Sequence, residues 1–367
     1  MSAERPRSAG LASALIGAGI LISRFFGLFR QALMARYLGA GMVADAFFAG
    51  FKYSNMLNNL FGEGALSASF IPVYSRLLGK EEQEEAARVA GAVGAILGLA
   101  MAVFVLVGIV LTPVLMPIIA PGFTGEKRAL TIHVTRILLP GIGLAVMGAW
   151  ALGVLNSHRR FFLSYVSPVA WSVVMIAALL WYGPHTAPPR MAVLLAWASV
   201  GGALLQLLVQ LPTVWRLVPG LRLRLANANA HVRQVLRNFT PAFVSRGVVQ
   251  VSATVDQLLA SLLPNGAVAM LSYASTLYVL PVSLFGMSIS AAELPEMSRM
   301  DPDSDAGRAM LRTRLQAGLR RIAFFIVPSA AGFLLLGDVI IGALLRSGKF
   351  GHAEATYTWG ILAGSCV

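Results

Sequence analysis

Apolar runs long enough to cross a bilayer follow one another along the whole chain, and short blocks between them hold most of its charge. That pattern leaves few folds open. About 20 apolar residues span the hydrocarbon core as a helix, and inside lipid every backbone N–H and C=O must be satisfied within its own segment. A soluble domain carries about a quarter charged residues; here 12% of 367 residues are charged, 57% are hydrophobic and the mean hydropathy is +0.73. The alternative, a large soluble protein, would have to bury nine such stretches in series. The expected fold is therefore an all-α polytopic membrane protein. Its spans fall near 11–37, 45–75, 89–119, 130–155, 161–182, 191–215, 236–262, 267–296 and 319–345, with a partial tenth from 353. The last residues, Trp359 to Val367, stop inside an apolar run, which reads as a truncated product or an incomplete gene model. The N-terminal residues carry no pattern of a cleavable signal peptide.

The net charge of +13 comes from 29 Lys and Arg against 16 Asp and Glu. No zinc-finger spacing, aromatic strand motif or detached basic helix points to nucleic acid, so no nucleic-acid partner is expected. The cations instead mark topology. Segments 76–88, 156–160, 216–237, 299–321 and the N-terminal tail hold 18 Lys and Arg, against 5 in the alternate connections. The positive-inside rule then places the N-terminus in the cytoplasm. Two of the rich segments, Leu221 to Arg237 and Met310 to Arg321, interleave Leu with basic residues. They read either as helices lying on anionic membrane lipids or as ordinary positive-inside flanks. One cysteine, five scattered histidines and the absence of a Walker loop, nucleophile elbow or metalloprotease pattern argue against a metal centre, a cofactor or an enzyme.

Two short strings recur at equivalent points. Ser23-Arg24 returns as Ser245-Arg246, 222 positions on, and Pro72 to Arg76 returns as Pro295 to Arg299, 223 positions on. Both copies start on the cytoplasmic side, which implies halves related by an axis along the membrane normal, an arrangement used by alternating-access transporters. The corresponding division is an N-terminal six-helix bundle at 1–215, a cytoplasmic linker at 216–235 and an incomplete second bundle at 236–367.

Charges inside spans are expensive, costing roughly 2.5–3.5 kcal/mol each at mid-bilayer on insertion scales, so each needs a cavity, a partner or an interface. Arg24, Arg30, Lys52, Asp45, Glu63, Arg136, Arg246 and Asp256 are such residues. Arg24 and Arg30 lie about 240° apart around one helix, so they share a cavity only if it wraps the helix or the helix unwinds near Gly27. Lys52, Asn55, Asn59 and Glu63 follow spacings of 3, 4 and 4, one polar face on one helix. That face is either the lining of a hydrated cavity or a polar seam against the first span. Asp45 and Asp256 read as acids that couple to an ion or hold structure. The identity of any coupling ion is left open, and Glu293 is expected at an interface.

At Ser23-Arg24-Phe25-Phe26-Gly27-Leu28-Phe29-Arg30 the chain resembles the MurJ/MviN family of lipid II flippases, within the multidrug/oligosaccharidyl-lipid/polysaccharide exporter superfamily. The likeness continues through Ala35 to Gly41, Asp45 to Lys52, Phe61 to Ser67, Phe70 to Val73, Ala120 to Phe123, Gly153 to Asn156, Gln206 to Pro212 and Gly348 to Phe350. The resemblance implies two pseudo-symmetric helical bundles of the MurJ/MATE type, the second truncated, in a bacterial plasma (inner) membrane. It implies a substrate such as lipid II, an undecaprenyl-pyrophosphate-linked glycan, clamped through its diphosphate by Arg24, Arg30 and Lys52, with cell-wall synthesis proteins as further partners. Three positions depart from the family pattern. Asn58-Asn59 stands for an Arg pair, Gln31 for an Asp, and Ser275-Thr276 for Asp-Arg. These departures leave open an exporter of another lipid-linked oligosaccharide or amphiphile, or a non-transporting scaffold for envelope assembly.

Overall fold

A computed structural model describes residues 6–225, 230–286, 289–290, 293, 297 and 304–366. The described residues form helices and turns with no strand. In chain order the helices are α1 (Pro6–Leu38), α2 (Met42–Phe61), α3 (Glu63–Gly79), α4 (Gln83–Ile119), α5 (Gly125–Ser157), α6 (Phe161–Tyr182), α7 (Pro188–Leu217), α8 (Ala230–Ser261), α9 (Ala267–Pro281), α10 (Asp305–Leu345) and α11 (His352–Gly364). Among the described residues six helical stretches are long and apolar enough to cross a membrane by themselves: α4, α5, α6, α7, α9 with the π-turn that follows it, and α10. The protein is a multi-pass, all-α membrane protein.

Two expected spans change shape. The span at 45–75 is two helices, because Gly62 leaves helical backbone (φ −88, ψ −126) and divides α2 from α3. Glu63 therefore opens a new helix, and the polar face that begins at Lys52 stops at Asn59. The side chain of Glu63 lies outside the described residues, as does most of the second copy of the repeat, Pro295 to Arg299. Conversely, α1 runs unbroken past Gly27, so no unwinding brings Arg24 to Arg30. It ends where Gly39 (φ 69) donates its N–H to Ala35 at 2.9 Å, a left-handed cap that suits glycine.

The amphipathic connections also differ from helices resting on a leaflet. Residues 221–225 are not helical. They lie against α4 so closely that a side chain on Gly91 would meet the Arg222 carbonyl, and one on Gly94 would meet Leu223 and Trp150. Met310 to Arg321 is the first part of the continuous helix α10. Its Arg321 and Arg314 bond the carboxylate of Glu293 at 3.1 and 3.4 Å.

The helices form two compact units, Met1–Ala269 and Met270–Val367. In the first, α5 is the hub and packs on α2, α3, α4, α6 and α7, while α3 also packs on α8. The core gathers Phe70, Tyr74, Leu77, Val89, Trp150, Val154 and Val214. Trp150 is fully buried and donates its indole N–H to the Ala90 carbonyl at 3.1 Å, since a buried indole needs an acceptor. In the second unit α10 and α11 pack together. Phe285 stacks on Phe325 with ring centroids 4.5 Å apart, and Tyr273 meets Phe350 edge to face. Ser275 and Thr276 turn their hydroxyls back onto carbonyls of their own helix.

His158, in the turn between α5 and α6 and outside the spans, has its Nε2 3.0 Å from the hydroxyl of Tyr74 on α3. Desolvation first, and the charge of Arg160 second, hold the imidazole below the ordinary histidine range. The neutral ring thus belongs to the fold. Its contribution is complete above the unfolded value of about 6.5 and is lost as pH falls from there through the lower folded value. Purified protein should therefore melt at lower temperature as pH drops below about 6.5. His158→Gln should flatten that dependence; an unchanged slope in the variant would assign it to other groups.

Candidate functional site: a cationic cavity and a buried ion-pair node

Inside the first unit a cavity of about 280 Å³ opens among α1, α2, α5, α6 and α7. Its one charged lining residue is Arg30; polar neighbours are Ser54, Asn55, Asn58, Ser199 and Gln206. The guanidinium carbon sits 4.3 Å from the centre of the Trp171 ring, and Nη1 donates to Ser172 Oγ at 3.2 Å. Behind Trp171 the aromatic column continues. Phe51 stacks on Trp171 at 5.6 Å and Phe47 on Phe51 at 5.9 Å. Trp171 is fixed in turn by α7, its indole N–H donating to the Ser199 carbonyl at 3.0 Å. Gly202 makes this approach feasible, because a Cβ there would stand 2.7 Å from the indole ring.

Two buried polar atoms at this cavity lack partners among the described residues: Arg30 Nε and Asn58 Oδ1. Buried polar groups are almost always bonded, so an orphan donor and an orphan acceptor on lining residues of one cavity call for a ligand or water. A guanidinium braced on an aromatic face, with free N–H groups and two amides nearby, suits an oxyanion such as a phosphate next to hydroxyl or amide groups.

The other expected site residues are distributed around this cavity. Asn55 lines it with Arg30, whereas Arg24, Lys52 and Asn59 do not. Asn59 is exposed and Arg24 is half-buried on α1. Lys52 is half-buried and lies in the field of Asp256, which is exposed on α8. The Arg246 guanidinium packs over Gly64. Sequence reading missed Trp171, Ser199 and Gln206 as lining residues. The available signal was Trp171 itself, a mid-span indole that must find an acceptor.

Asp45 sits elsewhere, in a second node. It is fully buried and bonds Lys127 Nζ through Oδ2 at 2.7 Å. It also accepts the backbone N–H of Gly266 at 2.7 Å and of Ala269 at 2.8 Å, at the start of α9. A carboxylate at a helix N-terminus satisfies amides that the helix leaves orphaned and meets the positive end of its dipole. Lys127 reaches Asn265 Oδ1 at 3.1 Å and lies 3.9 Å from the Phe123 ring centre. One ion pair thus ties the starts of α2 and α5 to the α8–α9 turn. By sequence Lys127 is one of the five cations in the sparsely charged connections; its burial in the first turn of α5 is a tertiary fact.

Comparison with known proteins gives a consistent picture. A family model described as lipid II flippase MurJ matches residues 34–367. The chain is 33% identical over 353 residues to the lipid II flippase MurJ of Burkholderia cenocepacia, covering 93% of this chain and 68% of that protein. It is 31% identical over 355 residues to the probable lipid II flippase MurJ of Rhizobium tropici, covering 95% and 66%. The chain therefore spans about two thirds of the length of these relatives. Among solved structures, lipid II flippase MurJ in an inward closed conformation superposes with a TM-score of 0.81 at 24% identity, over 96% of this chain and 72% of that one. An inward-facing MATE-family multidrug transporter follows with a TM-score of 0.73 at 16% identity, over 93% and 76%. These two likenesses show a shared fold.

Proposed function

This chain belongs to the MurJ family of lipid II flippases, and we propose on that basis that it moves a polyprenyl-diphosphate-linked peptidoglycan precursor from the cytoplasmic to the outer leaflet of a bacterial plasma membrane. The observation that carries the reading is Arg30, a cation held against Trp171 inside a membrane bundle with a buried N–H still unbonded. A cavity of about 280 Å³ is at the small end of ligand pockets, so it takes a headgroup fragment such as a diphosphate, not a whole glycopeptide. In this reading Arg30 binds the diphosphate with Asn55 and Asn58, and Arg24, Lys52, Asn59 and Glu63 serve the wider path around it. Asp256 is the candidate coupling acid. The N-terminus is cytoplasmic, so the α2, α5 and α8–α9 node closes the outer face. The activity is transport, with no bond made or broken in the substrate.

Cells depleted of their own lipid II flippase provide the test. Expression of this chain should restore growth, while Arg30→Ala and Lys52→Ala at equal membrane level should not. Failure of the unaltered chain to rescue, with its membrane insertion verified, would turn the reading toward another lipid-linked glycan or a scaffold.

A further inference from the structure

A proline within a helix lacks the N–H that would bond the carbonyl four residues earlier. On α4, Pro113 thereby frees the Ile109 carbonyl, and Pro117 frees that of Pro113. Both acceptors are met from α5. Arg136 donates its Nε–H to Ile109 at 3.0 Å, and Arg128 donates from Nη2 to Pro113 at 3.2 Å.

One hydrogen bond does not account for a guanidinium at these positions. A neutral donor would fill the same need without the cost of a charge in the spanning region. Arg136 lies eleven residues beyond Gly125, roughly 16 Å along the helix axis, which exceeds a shallow interfacial placement. It is nevertheless exposed, and so are Ala129 and His133 on the same face. Inward from the two forks α4 presents Val110 at 71% exposure, Val107 at 48% and Val103 at 53% on one face. Neither arginine has an ion-pair partner among the described residues. An arginine carries five N–H donors, so about four remain on each side chain. The proline-freed carbonyls hold both forks in place, and the spare donors stand beside an aliphatic wall.

We propose that the α4–α5 groove is a binding site for the phosphate headgroup of a membrane lipid, with Arg128 and Arg136 on the phosphate and the acyl chains running inward along Val110, Val107 and Val103. The site is separate from the Arg30 cavity, and its failure would leave the transport reading untouched.

Native mass spectrometry of the full chain in detergent tests it, with phosphatidylglycerol and diacylglycerol of matched chains as probes and undecaprenyl phosphate as a third arm. The protein should retain phosphatidylglycerol at least tenfold over diacylglycerol. Because Arg136→Gln alone could disturb α4, it is combined with Pro113→Ala, which restores the intrahelical donor for Ile109, and with Arg128→Gln. That variant should lose the preference while keeping its melting temperature. Preference for undecaprenyl phosphate, lost in the same variant, would support the site and assign it to polyprenyl lipids. Equal retention by both proteins, or displacement of phosphatidylglycerol by inorganic phosphate, would overturn it.

Discussion

Asp45→Ala is expected to destabilise the helical bundle by about 3–5 kcal/mol, the cost of stranding a buried charge. Lys127 is 8% exposed and would keep only a neutral oxygen of Asn265 and the face of Phe123. The same change leaves the N–H groups of Gly266 and Ala269 without their acceptor. Asp45→Asn retains an acceptor and should lose less. Pairing Asp45→Asn with Lys127→Met removes both charges and should recover most of the loss, since replacing a buried pair with apolar volume is often neutral. Thermal unfolding in detergent checks the series; a double variant that melts no higher than Asp45→Ala would show that the two charges are not coupled. Transport makes a second demand. If the node closes one face of the carrier, Asp45→Ala should lose flipping even at temperatures where it remains folded.

The second large effect is at Arg30. Arg30→Ala should weaken headgroup binding by about 2–3 kcal/mol, roughly 30- to 150-fold, as expected when a buried charge-assisted contact is lost. Arg30→Lys should recover only part of this. A lysine keeps the charge but has neither the planar fork nor the flat face that rests on Trp171. Trp171→Leu should fall between them, costing about 0.5–2 kcal/mol through the lost cation–π contact. Titration of a short-chain polyprenyl diphosphate against the purified protein ranks the three. Equal affinity of Arg30→Ala and the unaltered chain would remove Arg30 from the binding site.

The Asn58-Asn59 departure looks different once the fold is known. Asn58 lines the Arg30 cavity with an unbonded buried oxygen, whereas Asn59 faces outward from α2. In the proposed site the first amide is an acceptor for a hydroxyl or amide of the substrate, a role an arginine could not take.

By itself the sequence determined the parts that depend on local chemistry. Long apolar runs dictate helices, because a backbone in lipid has to bond within its own segment. Gly39 stops α1, the charge blocks fall at span ends, and the family likeness read in the sequence is matched over residues 34–367. Only the tertiary structure decided which charges meet. Asp45 and Lys127 are 82 positions apart, Arg30 and Ser172 are 142 apart, and neither pairing leaves a periodic trace in the chain. The same is true of Arg136 and Ile109, 27 apart, where a proline's missing N–H on one helix is answered by an arginine on the next. Helix periodicity reports which face a residue occupies; what stands opposite that face is set by packing between helices, and the site's chemistry was settled there.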